Sequence, residues 1–202
     1  MEEKIINIVN EKANKYGVSP LLALAIIQVL ALCAAWMRYE PLYRWTLPQA
    51  QRPAGCNMDT ELVLQRCSIG LMQVMGAWAR EQGFDGWLTE LIDPENNIDV
   101  GCARLAALSS RYEKRFGVEG VISAYLGITP RKGPDGKFLN QNFVNKVIAA
   151  MPSEDTPEAA LMKKTVAELK EIAKEKDITI QPADKKADIV AAILAANEAK
   201  EE

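Results

Sequence analysis

The sequence has no histidine among its 202 residues. This absence excludes catalytic triads and dyads that use an imidazole base, and it removes the commonest ligand of transition-metal sites. The formal net charge is only −3, so no strong field attracts nucleic acid or anionic lipid. We therefore expect no metal site, no cofactor, and no bulk affinity for nucleic acid or membranes.

Cysteine is also scarce, and none of the four cysteines forms a CxxC pair of the kind that binds zinc. Cys33 and Cys102 lie among apolar residues at helical spacing, which predicts buried, unreactive thiols. Cys56 and Cys67 flank a short polar stretch. Either they too are free, or they form a disulfide in an oxidising compartment. The sequence leaves both alternatives open.

No apolar run in the sequence is long enough to cross a bilayer. The most apolar stretch is the 15 residues 21–35, interrupted by Gln28, whereas a spanning helix needs about 20. The acidic N-terminal residues do not have the layout of a signal peptide. We expect a central core helix here, cytoplasmic synthesis, and a monomeric protein that reaches any cell-wall target with outside help.

What the sequence does contain predicts an all-α fold in its first three quarters. Apolar spacing predicts helices over residues 3–16, 20–37, 68–82, from 94 onward, 118–125 and 142–151. Residues 38–66 are rich in Pro, Gly, Gln and Arg, which predicts a long irregular segment with a short helix at 59–65. Such long segments are usually functional. Pro134-Asp135-Gly136 predicts the turn of a small hairpin over residues 132–139.

A polar, proline-containing stretch at residues 152–158 predicts a linker between two domains. Domain 1 then spans residues 1–151, and a small module spans residues 159–202. In this module we expect two short helices, over 165–176 and 185–197. The first should begin with a capping box, in which a hydroxyl and a carboxylate satisfy each other's backbone N–H groups.

Four elements of the first domain resemble, in order, the motifs of the soluble lytic transglycosylase (SLT) family. They are YGVSPLLALAIIQV at 16–29, SIGLMQVM at 68–75, LIDPENNI at 91–98 with a glycine at 101, and an AY pair at 124–125 with a glycine at 127. The segment at 38–66 resembles the phage-lysin variant of the family. The resemblance implies a goose-type lysozyme-like fold and, as substrate, the glycan strand of peptidoglycan.

One residue that this family needs for catalysis is missing from the sequence. In the family, a glutamate within Gln-Val-Glu-Ser protonates the glycosidic oxygen and then helps to close a 1,6-anhydro ring. A carboxyl in an apolar pocket keeps its proton near neutral pH and so serves as general acid. The matching residues here are Gln28, Val29, Leu30 and Ala31. Leu30 cannot transfer a proton, so the resemblance implies that the native activity is lost.

Other positions at which the resemblance places the cleft are also apolar or small, whereas the motif residues of the scaffold are retained. Leu126, for example, replaces the asparagine that follows the family's tyrosine. The predicted ligand-binding residues are Leu30, Cys33, Ile69, Met72, Gln73, Tyr125, Leu126 and Ile128.

Three interpretations of this pattern remain. The cleft was engineered to hold a non-natural apolar ligand or a designed active site; or the protein is a natural pseudoenzyme that binds cell wall or protein; or the acid lies elsewhere. In the third case the protein is an active phage lysin, and Glu40 or Glu61 is its acid. Each also has a structural interpretation, as a loop-ordering charge for Glu40 and as a helix-start charge for Glu61.

The polar and aromatic residues of the expected cleft are similarly open to two interpretations. Gln73 and Tyr125 either hydrogen-bond a ligand or satisfy buried backbone groups. Trp36 and Trp78 either stack on a ring of the ligand or pack in the core.

The C-terminal module resembles the helix-extended loop-helix group, related to SAP modules that often bind nucleic acid. Its charge does not favour that role. Residues 156–202 contain 8 Lys and no Arg against 10 Asp and Glu, a net charge of 8 − 10 = −2. Phosphate binding needs a basic face. We therefore expect a spacer or anchor.

Overall fold

The computed structural model describes residues 2–31, 36–127, 129–151, 161, 164–176, 178–181, 184 and 186–198. The chain forms two compact units, Met1–Met151 and Pro152–Glu202. The predicted linker, residues 152–158, lies outside the described residues.

The first unit consists mainly of helices around one apolar core. Its elements in chain order are α1 (Glu3–Tyr16), α2 (Pro20–Ala31), β1 (Met37–Tyr39), α3 (Met58–Gln65), β2 (Cys67–Ile69), β3 (Val74–Met75), α4 (Gly76–Glu81), a 3-10 helix (Leu88–Ile92), α5 (Pro94–Gly127) and α6 (Gln141–Ala150). Helix α5 packs against α1 and α6, and α2 packs against α1 and α6. The almost wholly apolar α2 is thereby held within the core, as predicted.

Several helix boundaries follow the local signals in the sequence. Gly17 ends α1 in the left-handed conformation, with φ 67°. The Ser19 hydroxyl accepts a hydrogen bond from the Leu22 N–H at 3.3 Å and caps the start of α2. Helix α5 is interrupted at Gly117, whose φ of 66° and ψ of −174° are not helical. The helix predicted at 118–125 is thus the continuation of α5 beyond this kink.

The helix predicted over residues 68–82 is wrong in its first half. Residues 67–75 instead form β2, a turn and β3, and only Gly76–Glu81 is helical. Strand β2 is the central strand of a small antiparallel sheet in the order β1-β2-β3. The prediction for α2 is also wrong at its end, because Met37 lies in β1 and not in the helix.

The turn between β2 and β3 is held by one fully buried side chain, that of Asn97 in α5. Its Nδ2 donates to the carbonyls of Ile69 at 2.8 Å and Leu91 at 2.9 Å, and its Oδ1 accepts from the Met72 N–H at 2.8 Å. Three backbone groups that have no helix partner are satisfied in this way. Asn97 therefore ties the sheet to α5 and to the 3-10 helix.

The predicted hairpin after α5 is confirmed. Lys132 and Phe138 form an antiparallel bridge, and Gly136 in the turn adopts φ 77°. The Asp135 carboxylate accepts a hydrogen bond from the Lys137 N–H at 3.1 Å, which is typical of a tight turn.

Among the described residues of the second unit are the helices α7 (Val166–Glu175) and α8 (Lys186–Glu198), close to the predicted bounds. The predicted capping box is present: the Thr165 hydroxyl accepts from the Glu168 N–H, and the Glu168 carboxylate accepts from the Thr165 N–H. The two helices share an apolar cluster of their own that includes Leu169, Ala173, Ile189, Val190 and Ile193.

Cys56, Cys67 and Cys102 are buried and free, so no disulfide joins Cys56 to Cys67. Burial raises the pKa of the Cys102 thiol to about 12, as expected for an inert thiol. Cys33 lies outside the described residues. Within the described part of the chain, no helix is both long enough and apolar enough to cross a membrane.

Candidate functional site

A cavity of about 620 Å³ opens in the first unit beside the end of α2. Most of the side chains around it are aliphatic or aromatic. It is lined by Leu30, Arg38, Glu40, Pro41, Leu42, Tyr43, Trp45, Ser68, Gln73, Met75, Trp78, Leu126 and Gly127. Of the predicted ligand-binding residues, Leu30, Gln73 and Leu126 line this cavity.

The small sheet sets the polar side of this cavity. In the register of the sheet, Arg38 of β1 lies opposite Ser68 of β2, and Ser68 also pairs with Met75 of β3. Glu40 follows β1 directly, and its N–H donates to the Arg66 carbonyl at 2.9 Å. Residues far apart in the sequence are thereby brought to one wall.

The polar groups on this wall bind one another. The Glu40 Oε1 accepts from the Arg38 Nε at 2.7 Å and lies 3.2 Å from the Ser68 Oγ. The Ser68 Oγ also lies 3.1 Å from the Gln73 Oε1, and the Gln73 Nε2 donates to the Gly70 carbonyl at 2.8 Å. Much of the hydrogen-bonding capacity of this wall is consequently used within the protein.

Leu30 also lines the cavity and is only 8% exposed. Leu42, Trp45 and Leu126, by contrast, are 81%, 61% and 45% exposed, respectively, so the rim of the cavity offers apolar surface to solvent. An apolar ligand could cover this surface, which is the usual character of small-molecule pockets.

A second cavity of about 510 Å³ has part of its wall in common with the first. The residues common to both are Trp45, Leu126 and Gly127. The others that line the second cavity are Ser123, Thr129, Arg131, Leu139 and Asn140.

Three predicted ligand-binding residues lie in the core and do not line either cavity. Ile69, Met72 and Tyr125 are fully buried. The Tyr125 hydroxyl donates to the Met72 carbonyl at 2.9 Å, and its ring packs edge-on against Trp78 at 5.9 Å. Burial raises the pKa of Tyr125 well above its usual value. Tyr125 thus satisfies a buried backbone group, as one of the two interpretations expected. Its prediction as a ligand-binding residue was wrong because local motifs do not show which side of α5 a side chain occupies.

Glu40 and Glu61, the two alternative candidates for the acid, differ in position. Glu40 lines the cavity, whereas Glu61 is 1% exposed and forms a salt bridge with Arg80 at 2.8 Å. Burial alone would raise the pKa of Glu61, but hydrogen bonds from Arg80 and Gln65 outweigh burial and lower it. Glu61 is thus a structural carboxylate and unsuited to donate a proton at neutral pH.

The remaining predicted residues are placed as follows. Trp78 is buried but also lines the cavity, while Trp36 is 62% exposed and is not among the lining residues. Cys33 and Ile128 lie outside the described residues.

The sequence predictions did not include Trp45, Leu42 or Tyr43 as site residues. All three lie in the long segment at 38–66 and line the cavity, and Tyr43 packs edge-on against Trp45 at 5.5 Å. The scattered aromatics of that segment were the available signal. Among the described residues, no group of three Cys, Asp or Glu side chains could hold a metal ion.

Comparison with known proteins gives one family match. Residues 46–136 match the model of the transglycosylase SLT domain. With the mostly helical structure, this match confirms the predicted all-α, lysozyme-like fold class. The matched residues include the turn between β2 and β3, Asn97 and the first half of the hairpin after α5. Leu30 precedes the matched residues, so its correspondence to the family's acid rests on the motif in α2.

A curated relative is the membrane-bound lytic murein transglycosylase C of Sodalis glossinidius (strain morsitans). It is 27% identical over 160 residues, which cover 75% of this chain and 38% of the relative. The chain therefore spans well under half of that relative's length. No solved structure matches significantly.

Proposed function

We propose that the protein is a peptidoglycan lytic transglycosylase scaffold without its general acid, and that engineering has made its cleft an apolar site for a non-natural small ligand or a designed active site. The SLT match and the murein-cleaving relative support the ancestral substrate. The loss of the general acid and the apolar character of the cleft are inferred from Leu30, which lines the cavity. At the position where the chemistry requires a proton donor, this chain has an aliphatic side chain.

The composition of the cavity favours an apolar ligand over a sugar. Burying apolar surface contributes about 25 cal/mol per Å², and Leu42, Met75, Trp45 and Leu126 offer such surface. A sugar needs hydrogen-bonding partners for its hydroxyls, and leaving them unpaired in a cavity is costly. The polar side chains that line the cavity already hydrogen-bond one another or the backbone.

The test is a titration of the protein with N-phenyl-1-naphthylamine, a neutral apolar fluorophore, and with chitin tetramer. We expect the fluorophore to bind and the sugar to bind weakly. Leu30→Glu should weaken fluorophore binding by about tenfold or more, because a carboxylate on this wall must lose water when the fluorophore binds. Leu30→Met, which nearly conserves volume, should change little. The proposal is contradicted if the unaltered protein does not bind the fluorophore and binds chitin tetramer with the same affinity as the Leu30→Glu variant.

A second candidate function is an active lysin that uses Glu40 as its acid, and one observation favours it. Glu40 is the carboxylate among the lining residues of the larger cavity. Its ion pair with Arg38 at 2.6 Å supports the alternative interpretation of Glu40 as a charge that orders the loop. Analysis of the products of digested peptidoglycan, with Glu40→Gln beside the unaltered chain, separates these two roles.

A further inference from the structure

We propose that the second cavity is an anion-binding extension of the apolar cleft, so that the ligand is an apolar molecule with an acidic group such as a carboxylate or sulfonate. This inference rests on the proposed function, because it assigns the chemistry of one end of the same ligand. Three features of the structure support it: the shared wall, the position of Arg131, and the internal pairing of the other polar groups.

The shared wall makes the two cavities one candidate site. Trp45, Leu126 and Gly127 line both, so a ligand that covers the indole of Trp45 and the side chain of Leu126 can extend into either cavity. Leu139, 73% exposed, provides further apolar surface in the second cavity. An apolar body and an acidic end can therefore be accommodated side by side.

Arg131 supplies the positive charge. No described carboxylate lies within salt-bridge distance of its guanidinium, and its Nε donates to the Thr129 hydroxyl at 3.3 Å. In the larger cavity, by contrast, Arg38 is paired with Glu40, so the two formal charges cancel. The charged lining residues of the two cavities thus sum to +1 − 1 + 1 = +1.

The hairpin fixes the backbone at Arg131. The Leu139 N–H donates to the Arg131 carbonyl at 2.9 Å, one residue before the Lys132–Phe138 bridge. The hairpin also contains Lys132 and Lys137 against a single Asp135, so its own field is positive. An anion at this position meets a favourable potential from the whole element.

The other polar residues of the second cavity are largely occupied with one another. The Ser123 hydroxyl donates to the Asn140 Oδ1 at 2.7 Å, and the Asn140 Nδ2 donates to the Ser123 carbonyl at 2.9 Å. This reciprocal pair joins α5 to the residue that precedes α6. Arg131 is left as the group with most capacity to bind a ligand, and a guanidinium suits carboxylate and sulfonate oxygens.

The experiment uses two probes that differ by one group. 8-Anilinonaphthalene-1-sulfonate carries a sulfonate, and N-phenyl-1-naphthylamine has the same rings without it. We expect Arg131→Gln to weaken sulfonate binding about three- to fivefold, the upper part of the range for an exposed ion pair, and to leave the neutral probe unchanged. Leu126→Gln, in the shared wall, should weaken both probes. Arg111→Gln, an exposed arginine on α5 that lines neither cavity, should affect neither.

The outcomes distinguish the two proposals. If both probes bind but Arg131→Gln affects them equally or not at all, the anion site is overturned and the apolar cleft stands. If neither probe binds the unaltered protein, the proposed function fails, and the anion site fails with it.

Discussion

At the scale of single residues, the Glu61–Arg80 pair has the clearest energetic consequence. Both side chains are 1% exposed and are joined at 2.8 and 3.0 Å. The Gln65 amide also donates to Glu61 at 2.9 Å, and it exchanges hydrogen bonds with the backbone of Leu47. This network fastens the long segment before α3 to the rest of the unit, and so supports the wall on which Tyr43 and Trp45 lie.

We predict that Glu61→Gln lowers the free energy of unfolding at pH 7 by about 3 kcal/mol, because it leaves a buried arginine without its counter-charge. The pKa of Glu61 is lowered on folding. Its stabilising contribution is therefore present above the ordinary value of 4.5 and is lost as the pH falls through the lower, folded value. The difference between variant and parent should shrink at acid pH.

Urea unfolding at pH 7 and at about pH 3 checks this prediction, with Glu11→Gln as a control. Glu11 pairs with Lys12 at the surface, where an ion pair contributes little. A Glu61→Gln variant that keeps the parent's stability at pH 7 would show that the pair is not needed.

At the scale of elements, the turn between β2 and β3 determines how the polar wall is built. Gly70 adopts φ 70° and Gln73 adopts φ 47°, both in the left-handed region. A Cβ at Gly70 would lie 2.4 Å from the Asn97 Nδ2 and 2.5 Å from the Leu91 carbonyl oxygen. Both the backbone conformation and the space around it therefore require glycine.

Gly83 offers a matched control for this position, because it has φ 85° and a Cβ at this residue would meet no atom within 4 Å. We predict that Gly83→Ala costs about 1–2 kcal/mol, the strain of a left-handed alanine. Gly70→Ala should cost at least about 2 kcal/mol more, since it also breaks hydrogen bonds of the buried Asn97. Thermal unfolding measures both. Equal losses would mean that the close packing around Gly70 is unimportant.

The same turn shows why part of the fold was not predictable from the sequence. Ile69, Met72 and the residues after them have helix-like spacing, but the contacts that select a turn come from Asn97, more than twenty residues later. The helices α1 and α7 were predictable because their caps and apolar spacing are local. Of the residues that line the larger cavity, Leu30, Gln73 and Leu126 were predicted from motifs. Trp45 was missed, because only the tertiary structure brings it to the cavity.

At the scale of the whole molecule, the chain consists of two units with separate apolar clusters. We predict that limited proteolysis cuts first between them, within residues 152–158, because this polar, proline-containing stretch has few apolar residues with which to pack. A stable fragment of about residues 1–152 should remain, identified by intact mass. Resistance at this stretch, or a first cut within the first unit, would contradict the two-domain organisation.

We propose above all that this lysozyme-like scaffold has no general acid at its cleft. Overnight digestion of peptidoglycan, followed by mass spectrometry, tests it directly. We predict no 1,6-anhydro-muropeptides above the level of a blank, because general acid–base catalysis contributes about 10²- to 10⁴-fold and Leu30 supplies none. Glu40→Gln should give the same result. Abundant anhydro products that disappear in Glu40→Gln would contradict the claim and identify Glu40 as the acid.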